Sequence, residues 1–381
     1  MNPVQYIEQH QESVIECYLD LHSLAEPSWQ EKRTSAYLFR CLNEAGLTVK
    51  TFQNHYGIIA EIPGHSQKVV ALRADMDALV QEVDGAVKAN HSCGHDAHST
   101  MVLHSALAIA NSGIQPKHTL RFIFQPAEEK GEGALQMIND GALENVTYLF
   151  GVHVRPNTEA PYMKASPVIV HGSAVTIRGT IKGIQAHASR PEDGINAIEA
   201  AALLVQKMQQ LNLVTESPYS IKMTQIQTNN KASNVIPETA VFAMDARAQS
   251  NDVMNELISL AKEAIDQTMA QTGTSISWSA EEFVPAATTH EKAINHAENA
   301  IGDIIGTENI VPVCISQGGE DFHFYTTHYP DIAATMIGLG CDLTPGLHHP
   351  DMKFNLNALI YGTKILIKTV MLATEEERFP R

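Results

Sequence analysis

The chain has 381 residues, 44% of them hydrophobic and 18% charged, and a formal net charge of −17. That length suits two cores, or one large core carrying an insertion, and the composition excludes a disordered or fibrous chain. None of the 26 Lys and Arg gathers into a run, which argues against a nucleic-acid partner, because neutralising phosphates takes clustered cations.

The opening MNPVQYIEQHQESVIEC lacks a basic segment followed by an apolar one. No later stretch approaches about eighteen uninterrupted apolar residues, so a cytoplasmic protein without membrane association is expected. Cys17, Cys41, Cys93, Cys314 and Cys341 are odd in number and scattered, poor material for a disulfide framework and compatible with a reducing compartment. Four of them read as buried small hydrophobes. Cys93 stands apart because of its neighbours.

In chain order, YGIIAEI (56–62), VVALRAD (69–75), TLRFIFQ (119–125) and YLFGVHV (148–154) read as strands. Between the second and third, HSTMVLHSALAIANSG (98–113) reads as a helix opened by Ser or Thr and closed by Gly113. Alternating strands and helices predict an α/β domain with a mostly parallel central sheet and ligand chemistry at the strands' carboxyl ends. From about Ser173 the order becomes strand 174–188, helix 194–211, strands 219–228 and 239–248, helix 252–273 and strand 274–283. That β-α-β-β-α-β order predicts a ferredoxin-like α+β module. After Pro285 the α/β pattern resumes with helix 293–306, strands IVPVCIS (310–316) and AATMIGLG (333–340), and a last helix 357–373. The module is therefore expected as an insertion, 173–284, in a catalytic domain made of 1–172 and 285–381.

Five stretches concentrate groups able to bind metal or move protons: RADMDAL (73–79), SCGHDAH (92–98), FQPAEEKGEG (124–133), GVHVRP (151–156) and GLHHPDM (346–352). Each lies after a predicted strand or in a loop. Cys93 and His95 with one Gly between do not match a structural zinc knuckle, and ligands gathered from distant loops are the habit of catalytic metal sites. The competing reading is a helix N-terminus with polar caps. Glu128 and Glu129 repel unless a cation or a proton separates their roles. In extended backbone they point to opposite sides, one toward metal and one toward substrate as general base; a solvated acidic turn is the alternative. His153 and the pair His348–His349 each read equally as core or loop histidines.

Taken together these stretches resemble the M20 metallopeptidase and amidohydrolase family, specifically its D branch of N-acyl-amino-acid amidohydrolases, auxin-conjugate hydrolases and N-acetyl-diaminopimelate deacetylases. RADMDAL, HSCGHDAHSTMVL, FQPAEEKGEGA, NVIPETA, GGEDF and LHHP follow the branch's motifs in order. The resemblance implies two divalent metal ions held by Cys93, His95, Glu129, His153 and His348, with Cys93 bridging. It implies Glu128 as general base and Asp77 as the acid that orients a ligand. Asp96 and His98 then cap the helix or hydrogen-bond around the site. In the inserted lid, His187 (IQAHASRP) falls on the position that reaches a neighbouring active site in a dimer to stabilise the oxyanion, while Asn234 and Arg247 fall on positions that hold a substrate carboxylate. Departures from the branch are Val80 after DAL, a short segment between DAL and CGHD, and HHPDMKFNLNAL without an acidic pair.

The expectation is a dinuclear amidohydrolase cleaving N-acyl amino acids, in which metal-activated water attacks and no nucleophilic side chain is needed. A G-x-S-x-G elbow is accordingly missing from the sequence. Thiolate and imidazole ligands favour Zn, Co or Ni on softness, and Mn enters on availability. The alternatives are a dipeptidase or carboxypeptidase using the same water attack, and a non-catalytic binding protein on the same fold.

Overall fold

The apolar runs of the first half form the middle of a seven-stranded sheet. Across the sheet the order is Thr48–Thr51, Ile58–Ile62, His118–Gln125, Ser66–Asp75, Val146–Pro156, Ala333–Leu343 and Ala165–Ser166. The four central strands, from His118–Gln125 to Ala333–Leu343, run parallel, and the flanking pairs are antiparallel. Their near-continuous burial explains the Val-, Ile- and Phe-rich runs, since parallel strands are covered on both faces. One cover is the helix His95–Ser112, which buries Met101, Val102, Leu103, Ala106 and Ile109. It starts three residues before the expected His98, with Gly94 rather than Ser or Thr before its first turn, and ends at Gly113 as expected. A second cover is Ala358–Glu375, which packs against it and against Glu291–Ile305.

This structure is a computed structural model that describes residues 1–376; residues 377–381 of the expected catalytic domain lie outside the described residues. The chain divides into two units, the first comprising Met1–Val170, Thr288–Ile315 and the chain from Asp321 onward, the second His171–Ala287 and Ser316–Glu320. IVPVCIS is largely irregular: only Cys314–Ser316 is a strand, and it lies outside the seven-stranded sheet. Pro312, which cannot donate to a ladder, sits in its middle.

The second unit contains the strand Ser173–Lys182, helix Ala197–Gln210, strands Tyr219–Thr228 and Thr239–Ala248, helix Asn251–Thr272 and strand Ser275–Val284. Its four-stranded sheet is antiparallel throughout, in the order 219–228, 239–248, 173–182, 275–284. This is the ferredoxin-like arrangement expected from the element order. Ala200, Ala201, Leu204 and Met208 of the first helix and Leu257, Ala261 and Ile265 of the second recur at helical spacing, and they close a core with Val175, Ile177, Phe242 and Met244. Among the described residues no helix is long and apolar enough to cross a membrane.

Candidate metal centre

Every one of the five chemical stretches lies at a carboxyl end of the parallel strands. Asp75 ends the strand Ser66–Asp75, and Asp77 follows it. Asp75 Oδ2 accepts from Arg73 at 2.6 Å and its Oδ1 from His98 Nδ1 at 2.7 Å. Asp77 Oδ1 accepts from His95 Nδ1 at 3.0 Å, and its Oδ2 accepts from Ser28 Oγ at 2.7 Å and from the Glu129 N–H at 3.1 Å. Both carboxyls are held below the usual range: burial opposes ionisation, but His95 and further donors around them outweigh it. An ionised Asp77 fixes the proton of His95 on Nδ1 and leaves Nε2 with its lone pair.

Cys93, Gly94 and His95 meet at the start of the long helix. Gly94 has φ +87°, and a Cβ there would come within 2.6 Å of Val154 Cγ2, so the left-handed residue between the two is one that only glycine fills. That turn sends Cys93 Sγ to 3.6 Å from His153 Nε2. His153 donates from Nδ1 to the Val154 carbonyl at 2.7 Å. His98, although beside Asp75 and His95, has both ring nitrogens engaged, because Val154 N–H donates to its Nε2 at 3.0 Å. Asp96 accepts from Ala97 N–H and from His22 at 2.6 Å. These two residues brace the site by hydrogen bonds, and the helix has no side-chain cap.

The paired glutamates correct the sequence expectation of extended backbone. Ala127 has φ +53°, and Glu128–Lys130 is a single 3₁₀ turn. With about three residues per turn, adjacent side chains stand on neighbouring faces rather than opposite ones. Both carboxylates therefore face His95: Glu128 Oε2 is 3.7 Å and Glu129 Oε1 3.8 Å from its Nε2. Gly133 allows the chain to fold back, since a Cβ there would sit 1.7 Å from the Pro126 carbonyl oxygen. His348 arrives from a fourth loop with φ +64°, its Nε2 3.8 Å from Glu129 Oε2.

Cys93, His95 and His153 form one group of mutually close donor atoms and Cys93, Glu129 and His348 another, with Cys93 common to both. Donors about 2.0–2.3 Å from a tetrahedral ion lie roughly 3.3–3.8 Å from one another; Cys93 Sγ and His153 Nε2 of the first group are 3.6 Å apart, and Glu129 Oε2 and His348 Nε2 of the second 3.8 Å. His95 Nε2 and Glu129 Oε1 are buried and have no hydrogen-bond partner among the described residues. Burial pushes the Cys93 thiol well up, with Glu129 adding to it, and pushes the Glu129 carboxyl up to about 7 against the pull of His95. Burial and the neighbouring His98 depress His153 far below the usual imidazole range. Burial opposes a charge on His95, but Asp75 and Cys93 outweigh it and raise its pKa well above the usual imidazole range, so the acidic groups here call for positive charge, which a divalent cation can supply.

Sequence reasoning missed the supports. Ser28 holds Asp77, and buried Glu31 accepts from the Trp29 and Ala127 N–H groups at 2.9 Å. Asp321 accepts from Arg73, Gln125 and the Ala134 N–H, and its own N–H faces Glu128 Oε1 at 3.4 Å. The polar run EPSWQE between two amphipathic helices was the available signal for the first two.

His187, Asn234 and Arg247 lie in the second unit. His187, exposed, pairs with Val235 in a two-residue strand, and the Ala188 N–H donates to the Asn234 carbonyl. Both lie beyond the end of the sheet where Lys182 faces Thr239. Arg247, in contrast, pairs with Ala174 at the opposite end, eight residues or about 26 Å along the strand from Thr239. It forms a surface pair with Asp245 and borders a cavity of about 150 Å³. Within one copy of this unit Asn234 and Arg247 therefore stand at opposite ends of the sheet.

Residues 71–372 match the model of peptidase family M20/M25/M40. The chain is 28% identical to the N-acetyl-L-cysteine deacetylase of Bacillus subtilis over 94% of its own length and 88% of that protein. It is 28% identical to the IAA-amino acid hydrolase ILR1-like 4 of Arabidopsis thaliana over 91% and 82%. Among solved structures, the Bacillus subtilis YXEP protein, described as a dinuclear metal binding peptidase from the M20 family, superposes with a TM-score of 0.83 at 25% identity, covering 97% of this chain and 99% of that one.

Proposed function

Because the chain belongs to peptidase family M20/M25/M40, and is thereby a metal-dependent amide-bond hydrolase, we propose that it removes the acyl group from N-acyl amino acids at a dinuclear centre. The observation that carries this reading is the convergence of buried Cys93, His95 and His153 with Glu129 and the exposed His348, His95 Nε2 and Glu129 Oε1 having no hydrogen-bond partner among the described residues. The names of the relatives support the substrate class: one is an N-acetyl-L-cysteine deacetylase and one an IAA-amino acid hydrolase.

In this reading Cys93 serves both cations, His95 and Glu129 complete the set together with His153 and His348, and Asp77 keeps the His95 lone pair aimed inward. Two divalent cations would supply polarisation of the scissile carbonyl and acidify the attacking water. Glu128, its Oε1 steadied by the Asp321 N–H, takes the proton from that water and returns it to the leaving amine, and its closeness to His95 places it over the same spot. His187 is proposed as the donor to the developing oxyanion in a neighbouring copy, and Arg247 as the partner of the substrate carboxylate. These two roles rest on the motif match. The donor set accommodates Zn, Co, Ni or Mn.

The test is metal content together with a panel of N-acyl amino acids and dipeptides, assayed before and after chelation and metal add-back, with Glu128→Gln alongside. The expected result is about two cations per chain, hydrolysis of N-acyl amino acids in preference to dipeptides, and a Glu128→Gln protein that keeps its metal and loses at least about a hundredfold in kcat. Wild-type turnover by Glu128→Gln would overturn the mechanism, and a preference for dipeptides would overturn the substrate.

A further inference from the structure

The hairpin of strands Leu79–Val83 and Ala86–Asn90 pairs only with itself, and its Val80 and Val87 are exposed. An isolated two-stranded ribbon is marginal in water, so its side-chain ties decide where it sits. Those ties run to the two loops that present Cys93 and His348. Gln81 Oε1 accepts from Ser92 Oγ at 2.8 Å and from Asn90 Nδ2 at 3.2 Å, and Gln81 Nε2 donates to the His348 carbonyl at 2.7 Å. Asn90 Nδ2 also donates to the Pro350 carbonyl at 3.0 Å. On its other side the His348 N–H donates to the Ser92 carbonyl at 2.7 Å. Both peptide groups of His348 are thus gripped from the segment 81–92.

His348 needs the grip. It sits at φ +64°, a left-handed conformation unfavourable for a residue with a Cβ, and its side chain is 56% exposed. By contrast His95 and His153 are fixed by packing and by hydrogen bonds from their own rings. A carboxamide offers a donor and an acceptor from one planar head, and Gln81 uses both ends at once.

We propose that Gln81 is a positioning residue: through the His348 carbonyl it holds the His348 imidazole on the Cys93–Glu129 side of the metal centre. The inference rests on the metal reading above and goes beyond it by making the strength of one cation position depend on a side chain outside the ligand set.

Gln81→Glu separates the two ends of the amide. It keeps an acceptor for Ser92 and Asn90, removes the donor, and sets a carboxylate oxygen against the His348 carbonyl. Gln81→Ala removes both ends without repulsion, so a folding failure of the first variant leaves the second to decide. The metal-free proteins are titrated with Co(II), with circular dichroism and thermal unfolding of each metal-free variant as the check on folding. The expected result is that one cation equivalent weakens about 10- to 100-fold while the other keeps its affinity, and that Gln81→Glu adds nothing in a His348→Ala background. If both equivalents bind as tightly as in the parent, or if the loss is equally large without His348, the proposal is wrong while the metal centre stands. A parent protein that takes up no cation would instead overturn the metal reading, and this inference with it.

Discussion

Replacing Asp77 by Asn tests how much of the site depends on one carboxylate that touches no substrate. Asp77 is 1% exposed and ionised, and three donors converge on it: His95 Nδ1, Ser28 Oγ and the Glu129 N–H. An Asn of the same shape has one oxygen. With that oxygen toward Ser28 and Glu129, the amide N–H₂ faces His95 Nδ1 and drives the imidazole proton to Nε2, the atom turned toward Glu128 and Glu129. With the oxygen toward His95, the amide meets two donors. Either way a charge-assisted hydrogen bond of about 1.5–3 kcal/mol is lost, and binding a cation at His95 first requires the tautomer to be reversed. A loss of that size corresponds to about 10- to 100-fold in cation affinity. Competition against a chelating dye measures it, and kcat at saturating metal reports whether the centre is restored once filled. If Asp77→Asn bound both cations with parental affinity and lost only thermal stability, the carboxylate would be a fold element and the tautomer argument would fail.

Two further outcomes follow from the same geometry. Chelation removes a ligand that binds the folded chain, so at a cation concentration a thousandfold above Kd each emptied position costs about 4 kcal/mol, a fall in Tm of order 10 °C; identical unfolding curves with and without chelator would rule out a tightly bound cation. His104 is buried with its Nδ1 unpartnered, and burial, with His10 adding, depresses it to about 4. The unfolded chain therefore binds a proton that the folded one refuses, so this contribution is complete above pH 6.5 and about 3 kcal/mol is lost as pH falls toward 4; denaturant titrations of His104→Leu should show a correspondingly flatter acid limb, and an unchanged one would refute the assignment.

The parallel core was legible because burial on both faces leaves its own sequence signature, and the second unit because its element order is distinctive. The ligand candidates were legible as chemistry, Cys, His and Glu residues in or after strands and in loops. Less visible was anything set by backbone angle. Nothing in FQPAEEKGEG announces that Ala127 is left-handed, so the two glutamates were read as extended neighbours and not as a 3₁₀ turn. The hairpin 79–90 carries a turn signal in Asp84-Gly85, both left-handed, but its arms LVQEV and AVKAN lack the strict apolar–polar alternation that marks a strand resting on a core. Invisible too was how far apart Asn234 and Arg247 stand in one copy, since the strand Thr239–Ala248 spends most of their thirteen-residue separation on length.

Several left-handed residues of the first unit sit where these supports are, while Asp84, Asn145, Met163 and Asp342 lie elsewhere in it. Trp29, Ala127 and His348 all have φ between +53° and +67°, a conformation that costs a residue with a Cβ roughly 1–2 kcal/mol. Each is held by a polar side chain from the same few loops: the Trp29 and Ala127 N–H groups by Glu31 Oε1, and the His348 carbonyl by Gln81. Charge-assisted bonds to Glu31 are individually of the same order as the strain they oppose, so the loops are fixed by a near balance and not by surplus stability. The sheet supplies the anchor points at Asp75, Gln125 and Pro156, which any sequence with the same burial pattern would keep. In the proposed dinuclear centre the spacing of the donors is set by side chains such as Glu31 and Gln81, which lie outside the seven-stranded sheet. It follows that relatives can share this fold at low identity and still differ widely in cation affinity and rate, because substitutions in these clamps move the donors without disturbing the core.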